Sequence, residues 1–363
     1  MKKDSAAVAS RLERLLPRFR KVRVAVLGDL MLDRYLWGNA NRLSPEAAVP
    51  VVDFVSQNNC LGGAANVAAN LAALGAQVHL FGIVGGRKSA NKVADDEPGA
   101  ALRSELRKVR IADGGVLPDP SRITTVKTRV IARHQQIVRI DHERRDALTP
   151  ATEERLFRAL VPALKRLDAV VISDYDKGLV TDSFAERALH ACHQSKIPVF
   201  VKPKTSRLFA YNGARAIVCN TKEASFYVTR NVSDDKSIEE AGRALLPHFG
   251  CAAVVITRGE KGMSVLEETS PRAIHIPATS FEVTYARVGQ SGVAHGTSGR
   301  QVFDVTGAGD TVLSVLSLAT AAGASLPDAA RLANIAAGVV VGKLGTATVT
   351  PAELQAALTE THS

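Results

Sequence analysis

Asp304-Val305-Thr306-Gly307-Ala308-Gly309-Asp310-Thr311 runs straight into an apolar segment at 312–322. Glycines let backbone N–H groups converge, and the start of a helix adds about half a positive charge. Such a cup suits an anion. A carboxylate beside it would repel a resting anion, so Asp310 reads as a group that takes a proton. A base next to an anion cradle is what moving a phosphoryl group onto a hydroxyl requires, because that chemistry rests on positioning and charge stabilisation. The plainer alternative is a Gly-rich turn with Asp as a helix cap.

Two other glycine patterns fail. Gly307-Ala308-Gly309-Asp310-Thr311-Val312 has Val where a dinucleotide-binding turn needs its third glycine. Gly338-Val339-Val340-Val341-Gly342-Lys343-Leu344 is one spacer short of a Walker loop and lacks the Ser or Thr that would hold magnesium.

The chain has 363 residues, enough for one large domain over 1–363 or one domain with a small appendage. Lys plus Arg number 46 against 36 Asp plus Glu, an excess that suits anionic ligands such as phosphorylated metabolites. Aromatic residues make up only 5% and the basic residues are dispersed, which argues against nucleic acid as a partner. Cys60, Cys192, Cys219 and Cys251 form no C-x-x-C pair and read as small buried residues of a reducing cytoplasm. No apolar segment follows Lys2 and Lys3 as in a leader, and the apolar runs at 312–324 and 335–341 are too short to span a bilayer, so no membrane partner is expected. Leu12, Leu15, Leu16 and Phe19 alternate with Arg11, Arg14, Arg18 and Lys21, the pattern of a helix near 5–20 that docks ahead of the first strand.

Short β-branched runs at 22–28, 78–84, 169–173, 198–201, 216–219 and 253–257 alternate with helical patterns at 63–74, 184–194, 221–228 and 238–248. Runs of that kind are buried on both faces of a parallel sheet, giving an α/β/α three-layer sandwich. Segments near 33–57 and 122–141 look like strands without intervening helices and read as a small β-lid. Residues 85–95 and 285–299 look inserted; the second, rich in Gly and Ser, reads as a surface insertion or a loop over the anion turn.

At the end of the first strand, Gly28-Asp29-Leu30-Met31-Leu32-Asp33 places two carboxylates at the sheet edge where open α/β folds bind ligands, either as acceptors for sugar hydroxyls or as loop caps. Leu61-Gly62-Gly63-Ala64-Ala65-Asn66 puts two glycines at a helix start with Asn66 one turn inside. Lys127, Arg129 and Arg133 alternate along a lid strand and would share one face, suited to a phosphate or to plain solvation.

Together with the 304–311 turn, these motifs resemble the ribokinase-like (PfkB) sugar kinases over roughly residues 20–355. Asn41-Arg42-Leu43-Ser44-Pro45-Glu46, His134-Gln135-Gln136-Ile137, Ser173-Asp174-Tyr175-Asp176-Lys177-Gly178 and the 338–346 segment are similar to the D-glycero-D-manno-heptose 7-phosphate kinase branch. The resemblance implies transfer of the ATP γ-phosphoryl group to O1 of the heptose 7-phosphate, on the ADP-heptose route to the lipopolysaccharide inner core. It implies Asp310 as base and the backbone of Gly307, Ala308 and Gly309 as the charge-stabilising turn. Asp29, Asp33, Gly62, Gly63 and Asn66 would hold the sugar, with Lys127, Arg129, Arg133, Gln135, Asp174 and Lys177 contacting the sugar phosphate or its hydroxyls. On the nucleotide side, Asn220-Thr221-Lys222-Glu223 fits an N-x-x-E element organising magnesium-bound water. Thr257, Gly259 and Gly262 fit a loop near ribose and phosphates, and Asn334 would border the adenine. Mg²⁺ would enter with ATP, water-coordinated and reached by Glu223 through water. A homodimer paired through the lid is the expected assembly.

Lys202-Pro203-Lys204 departs from the branch's usual Asp-Pro-Lys, a local change of about two charge units. It could loosen magnesium organisation or neutralise phosphate directly. A kinase for another sugar, or a sugar- or nucleotide-binding relative without turnover, are the competing readings. The bifunctional relatives carry a fused nucleotidyltransferase domain that this chain, ending soon after the kinase, would leave to another protein.

Overall fold

The central strands of the main sheet point alternate side chains into two separate cores. In the computed structural model, which describes residues 2–89, 92–133, 135–204, 211–279, 307–343 and 346–361, fourteen strands are seen. They are β1 (Arg23–Gly28), β2 (Leu30–Leu43), β3 (Pro50–Gly63), β4 (Gln77–Ser89), β5 (Lys92–Asp95), β6 (Ala112–Asp119) and β7 (Thr125–Ala132). They continue with β8 (Gln135–His142), β9 (Ala169–Ser173), β10 (Val199–Lys202), β11 (Ala216–Asn220), β12 (Ala253–Thr257), β13 (Met263–Glu267) and β14 (Ile274–Ile276). Val24, Val26, Val171, Phe200, Val218 and Val255 enter one core, packed with the helices Ala64–Ala73, Ala308–Ala321 and Leu326–Val340. Ala25, Leu27, Ile172, Val201, Ile217 and Ile256 enter the other, with the helices Pro150–Leu164, Asp182–Gln194 and Asp235–Phe249. Burial on both faces explains why these strands read as unbroken apolar runs. The three-layer α/β/α architecture is as expected.

The sheet order is β14-β13-β12-β11-β10-β9-β1-β4-β5, with β6 also paired to β4. Strands β1, β4, β6 and β9 to β12 pair in parallel, so their carboxyl ends lie along one edge. Register is tight there: Gly28 pairs with Ser173, which pairs with Lys202, and Asn220 pairs with Thr257. A second sheet, β3-β2-β7-β8, leaves the same edge immediately after β1 and returns into the helix Ala64–Ala73. This is the expected lid, its strands displaced by a few residues from the ranges read in the sequence.

Two expectations are corrected. The N-terminal helix does not run from 5 to 20. It spans Lys2–Glu13, and a 3-10 helix, Leu16–Lys21, follows. Pro17 lacks an N–H and its ring would collide with the carbonyl of Glu13, so the α-helix stops there. Leu12, Leu15, Leu16 and Phe19 are nonetheless all buried, so the segment docks as its pattern indicates. The stretch 85–95 is not a plain polar insertion either: β4 extends through it and turns back antiparallel to β5, with Gly86 paired to Asp95 and Lys88 to Val93. The loop at 285–299, residues 304–306 of the glycine-rich turn, His134 and residues 344–345 lie outside the described residues. Among the described residues, no helix is long and apolar enough to cross a membrane.

Phe19 is fully buried against the first core. Replacing a buried Phe by Ala loses its transfer free energy and leaves a cavity. Phe19→Ala should therefore lower unfolding free energy by about 3–5 kcal/mol, read as a shifted urea midpoint at constant slope. A midpoint unchanged from the parent would show that the N-terminal segment is not part of the cooperative core.

Candidate active site

The helix Ala308–Ala321 begins at Gly307, whose φ of 86° an L side chain rarely adopts. A Cβ there would also lie 3.0 Å from the Asn66 amide nitrogen. Glycine thus lets the turn close against the helix Ala64–Ala73. That helix in turn starts at Gly63, with φ of 57° and a would-be Cβ 2.4 Å from the Asp29 carbonyl. Gly62 beside it leaves room for Asp33, whose Oδ2 would stand 2.6 Å from an added Cβ.

Asp310 sits in the first turn of its helix, 3% exposed. Burying an ionised carboxylate without partners would be prohibitive, and three partners meet it. Lys202 Nζ and the Tyr175 hydroxyl donate to Oδ1 at 2.8 and 2.6 Å, and the Asn66 amide donates to Oδ2 at 2.8 Å. Burial would lower the Lys202 pKa, but the charge of Asp310 outweighs it and holds the ammonium above the usual lysine range. Burial, reinforced by the Asp310 charge, raises Tyr175 above the usual phenol range, so it remains a donor. The Lys202 ammonium also stands 5.4 Å from the centre of the Tyr175 ring. Asn66 is oriented by its neighbour one turn on: the Asn70 amide donates to Asn66 Oδ1 at 3.3 Å and to the Asn66 backbone carbonyl at 2.9 Å, and Asn70 Oδ1 accepts from the Thr311 hydroxyl at 2.9 Å. The two helices are therefore joined by a polar ladder directly beneath the carboxylate. The Ser173 hydroxyl, fully buried in the same strand row as Lys202, has no partner among the described residues.

The remaining carboxylates divide between binding and scaffolding. Asp29 accepts from the backbone N–H groups of Tyr175, Lys177 and Leu179 at 2.9, 3.1 and 3.2 Å, which ties down the loop after β9. Burial raises its pKa, with those N–H bonds in opposition. Asp174 accepts from the Asp176 N–H and the Tyr211 hydroxyl, both at 2.8 Å. Asp33, near the base of lid strand β2, instead pairs with the neighbouring lid strand: Arg129 Nη1 lies 2.6 Å from its Oδ1, and Arg129 also stands over the Tyr35 ring. Burial raises Asp33 despite that arginine, and the negative charge of Asp310 adds to the rise.

Lys127 and Lys177, far apart in sequence, converge on Glu143 at 3.3 and 2.8 Å, and Lys127 also reaches Asp141 at 2.9 Å. Lys127 and Arg129 project from one strand two residues apart, as expected. Arg133 does not continue that face: β7 ends at Ala132, Arg133 has φ of 50°, and its guanidinium donates to Asn41 at 2.9 Å. Gln135 begins β8 on the exposed side. The strand alternation that would have aligned the three cations is broken by this turn.

On the other flank, Asn220 and Glu223 form a capping box, Asn220 Oδ1 accepting from Glu223 N at 2.8 Å and Glu223 Oε2 from Asn220 N at 2.9 Å. Thr221 and Lys222 open the same short helix. Thr257 ends β12, and Gly259 and Gly262 bracket the 3-10 turn that follows, Gly262 packed so closely that a Cβ would meet the Ile276 carbonyl at 2.1 Å. Asn334 donates to the Pro277 carbonyl at 2.8 Å from inside the helix Leu326–Val340, which also contains Gly338 and so rules out a Walker loop there.

The chain matches the description "pfkB family carbohydrate kinase" over residues 21–353. It belongs to that family. It is 42% identical over 97% of its length to the bifunctional protein HldE of Geotalea uraniireducens and 43% identical over 96% to that of Geobacter sulfurreducens. The chain spans about two thirds of these relatives, 66% of each. Phosphofructokinase-2 from Escherichia coli superposes with a TM-score of 0.71 at 17% identity, covering 93% of this chain and 98% of its own. The ribokinase of Arabidopsis thaliana superposes at 0.67 and 16%, with coverages of 93% and 98%. This carbohydrate kinase uses ATP as phosphoryl donor.

In the kinase, Tyr175, Asn70 and Glu143 complete the site and were not singled out from the sequence. Tyr175 sits inside the 173–178 motif, so its proximity to ligands was legible but its target was not. Glu143 follows a lid strand with no motif around it. Burial pushes the Glu143 carboxyl up, but hydrogen bonds from Lys177 and Arg145 and the charges of Lys127 and Lys177 outweigh that and hold it at about 2, below an ordinary 4.5. A depressed carboxylate stabilises the fold above its unfolded pKa and loses that contribution as pH falls through the folded one. The stability gap between the parent and Glu143→Gln should thus be constant above about pH 5 and shrink steadily from there toward pH 2. Urea midpoints across a pH series measure it, and a gap independent of pH would contradict the ion-pair account.

Proposed function

We propose that this kinase phosphorylates O1 of D-glycero-D-manno-heptose 7-phosphate, giving the 1,7-bisphosphate on the ADP-heptose route to the lipopolysaccharide inner core in the cytoplasm. The observation that carries the choice of acceptor is the 42–43% identity with proteins named HldE across nearly the whole chain. The cationic group at the lid–body junction, Arg129 beside Asp33 and Lys127 with Lys177, supports it by offering charge for a phosphate remote from the reacting hydroxyl.

In this reading Asp33 and the Gly62–Gly63 backbone hold the sugar hydroxyls, and Asn66 and Tyr175 orient the Asp310 carboxylate. Asp29 and Asp174 act by fixing the 174–179 loop that carries Tyr175 and Lys177. Asp310 accepts the O1 proton as O1 forms its bond to the γ-phosphorus. The bond from that phosphorus to the bridging oxygen breaks, and ADP departs with the electron pair. The amides of residues 307–309 lie where charge gathers on the transferred group. Magnesium supplies charge neutralisation on the triphosphate. Glu223 Oε2 is engaged by the Asn220 N–H, which leaves its second oxygen for a magnesium-bound water; no group of three metal-ligating side chains converges among the described residues. The strand-end residues Thr257 to Gly262 and Asn334 would flank the nucleotide.

A second reading, a kinase for a different sugar, is favoured by one observation: Lys127 and Lys177 are already neutralised by Asp141 and Glu143. Coupled ADP release across a panel of sugars and sugar phosphates separates the two. Selective turnover of the 7-phosphorylated heptose is expected, and equal rates with unphosphorylated sugars would reverse the choice. Asp310→Asn should lower kcat by at least about 10²-fold while the protein stays folded by circular dichroism. Wild-type turnover in that variant removes Asp310 as the base.

Eight of the eleven exposed large apolar side chains among the described residues belong to the lid and its connecting loop, Leu43, Phe54, Val55 and Ile140 among them. A patch so concentrated suits a second copy of the lid. Sedimentation at micromolar concentration should give a dimer, and Ile140→Lys should shift it to monomer; a monomeric parent defeats this assignment.

A further inference from the structure

In the arrangement just described Asp310 keeps one open acceptor site, on Oδ2, while its Oδ1 is filled and its charge is covered by an ammonium. Its Oδ1 already accepts from two donors and its Oδ2 from a third. Asn66 is 2% exposed, with its amide group anchored by the Asn70 amide donating to Asn66 Oδ1, and the phenol of Tyr175 stays protonated at that site. Lys202 is different. It ends β10 on a flexible four-carbon stem, its side chain is 20% exposed, and its charge is mobile. Its ammonium also stands at the mouth of the glycine turn: a Cβ added to Gly309 would lie 3.0 Å from Nζ. The donor that covers the base therefore occupies the place where the turn's amides would receive an anion.

We propose that Lys202 is a catalytic residue that exchanges partners. In the resting enzyme its ammonium pairs with Asp310, and when the nucleotide binds it passes to the γ-phosphoryl group, freeing an Oδ1 lone pair and uncovering the negative charge of Asp310 for the acceptor hydroxyl. A terminal phosphate offers three oxygens and more charge than a carboxylate, so the exchange is downhill for the ammonium. Lys202 stays protonated throughout and donates no proton. The acceptor proton goes to Asp310, the new bond is oxygen to γ-phosphorus, and the bond to the bridging oxygen breaks with its electrons leaving on ADP. Charge on the transferred group is thereby met by an ammonium of the protein where a carboxylate at position 202 would repel it. The inference rests on Asp310 being the base.

The exchange has a thermodynamic signature that a merely structural lysine would lack, because only the γ-phosphate competes with Asp310. Titration calorimetry at fixed magnesium, with ADP and with the non-hydrolysable β,γ-imido analogue of ATP, reads the preference for triphosphate over diphosphate. In Lys202→Met that preference should fall about tenfold or more, the worth of one charge-assisted hydrogen bond, and Lys202→Arg should restore part of it. In Asp310→Asn the competing carboxylate is gone, so the preference should rise above the parent's. An unchanged preference in Lys202→Met overturns the proposal. Should that variant not fold, an unchanged or lower preference in Asp310→Asn overturns it alone. Full turnover in Asp310→Asn would instead overturn the base assignment, a separate failure visible in kcat and not in the nucleotide preference.

Discussion

A carboxylate sunk 97% out of water survives only if its neighbours supply the hydrogen bonds that water would, and Asp310 obtains them from three unrelated parts of the chain. Asn66 comes from the helix after the lid, Tyr175 from the loop after β9, and Lys202 from the end of β10. Tyr175 and Lys202 are delivered by the parallel register that stacks Gly28, Ser173 and Lys202 in one row at the carboxyl edge, and Asn66 by the helix Ala64–Ala73. Slip that register by one residue and every side chain changes face, so Lys202 would enter the opposite core. The chemistry of the site is thus a direct consequence of strand alignment. The two cores enforce that alignment because adjacent strand residues feed different ones.

The lid is joined to this edge by charge as well as by chain. Glu143 just beyond β8 gathers Lys127 from the lid and Lys177 from the body, while Arg129 on β7 grips Asp33 on β2 within the lid itself. Asp29 holds the backbone of the loop that carries both Lys177 and Tyr175. A phosphorylated ligand drawing on Lys127 or Lys177 would thereby act on the same loop that orients Asp310, through a few hydrogen bonds and without any large motion.

Much of this was legible in order along the chain. The runs at 169–173 and 253–257 became strands with those same bounds, because β-branched residues buried on both faces leave little ambiguity. That helices follow the two glycine turns was legible, read from 63 and from the segment at 312–322, whereas they begin at Ala64 and Ala308, directly after Gly63 and Gly307 whose positive φ and close packing require glycine. Local rules failed where a single residue interrupts a periodic pattern. Pro17 divides the amphipathic N-terminal segment, and the turn at Arg133 removes it from the row of Lys127 and Arg129. The helices Glu97–Lys108 and Pro150–Leu164 went unread because their apolar stripes are narrow, three buried residues in the first. Asn220 and Glu223 show a different limit: the same N-x-x-E spacing makes a capping box and a magnesium-water element, and spacing alone does not separate them.

What no local pattern could supply is the pairing across more than a hundred residues that decides electrostatics. Lys202 stood out as a departure from an expected carboxylate, and the sign of its effect was open. Its ammonium lies 2.8 Å from Asp310 and so acts first on that carboxylate. A second carboxylate in its position would face Asp310 at hydrogen-bond range, and two buried negative charges so close cannot both stay ionised. The ammonium makes the pair neutral and lets Asp310 remain buried without water.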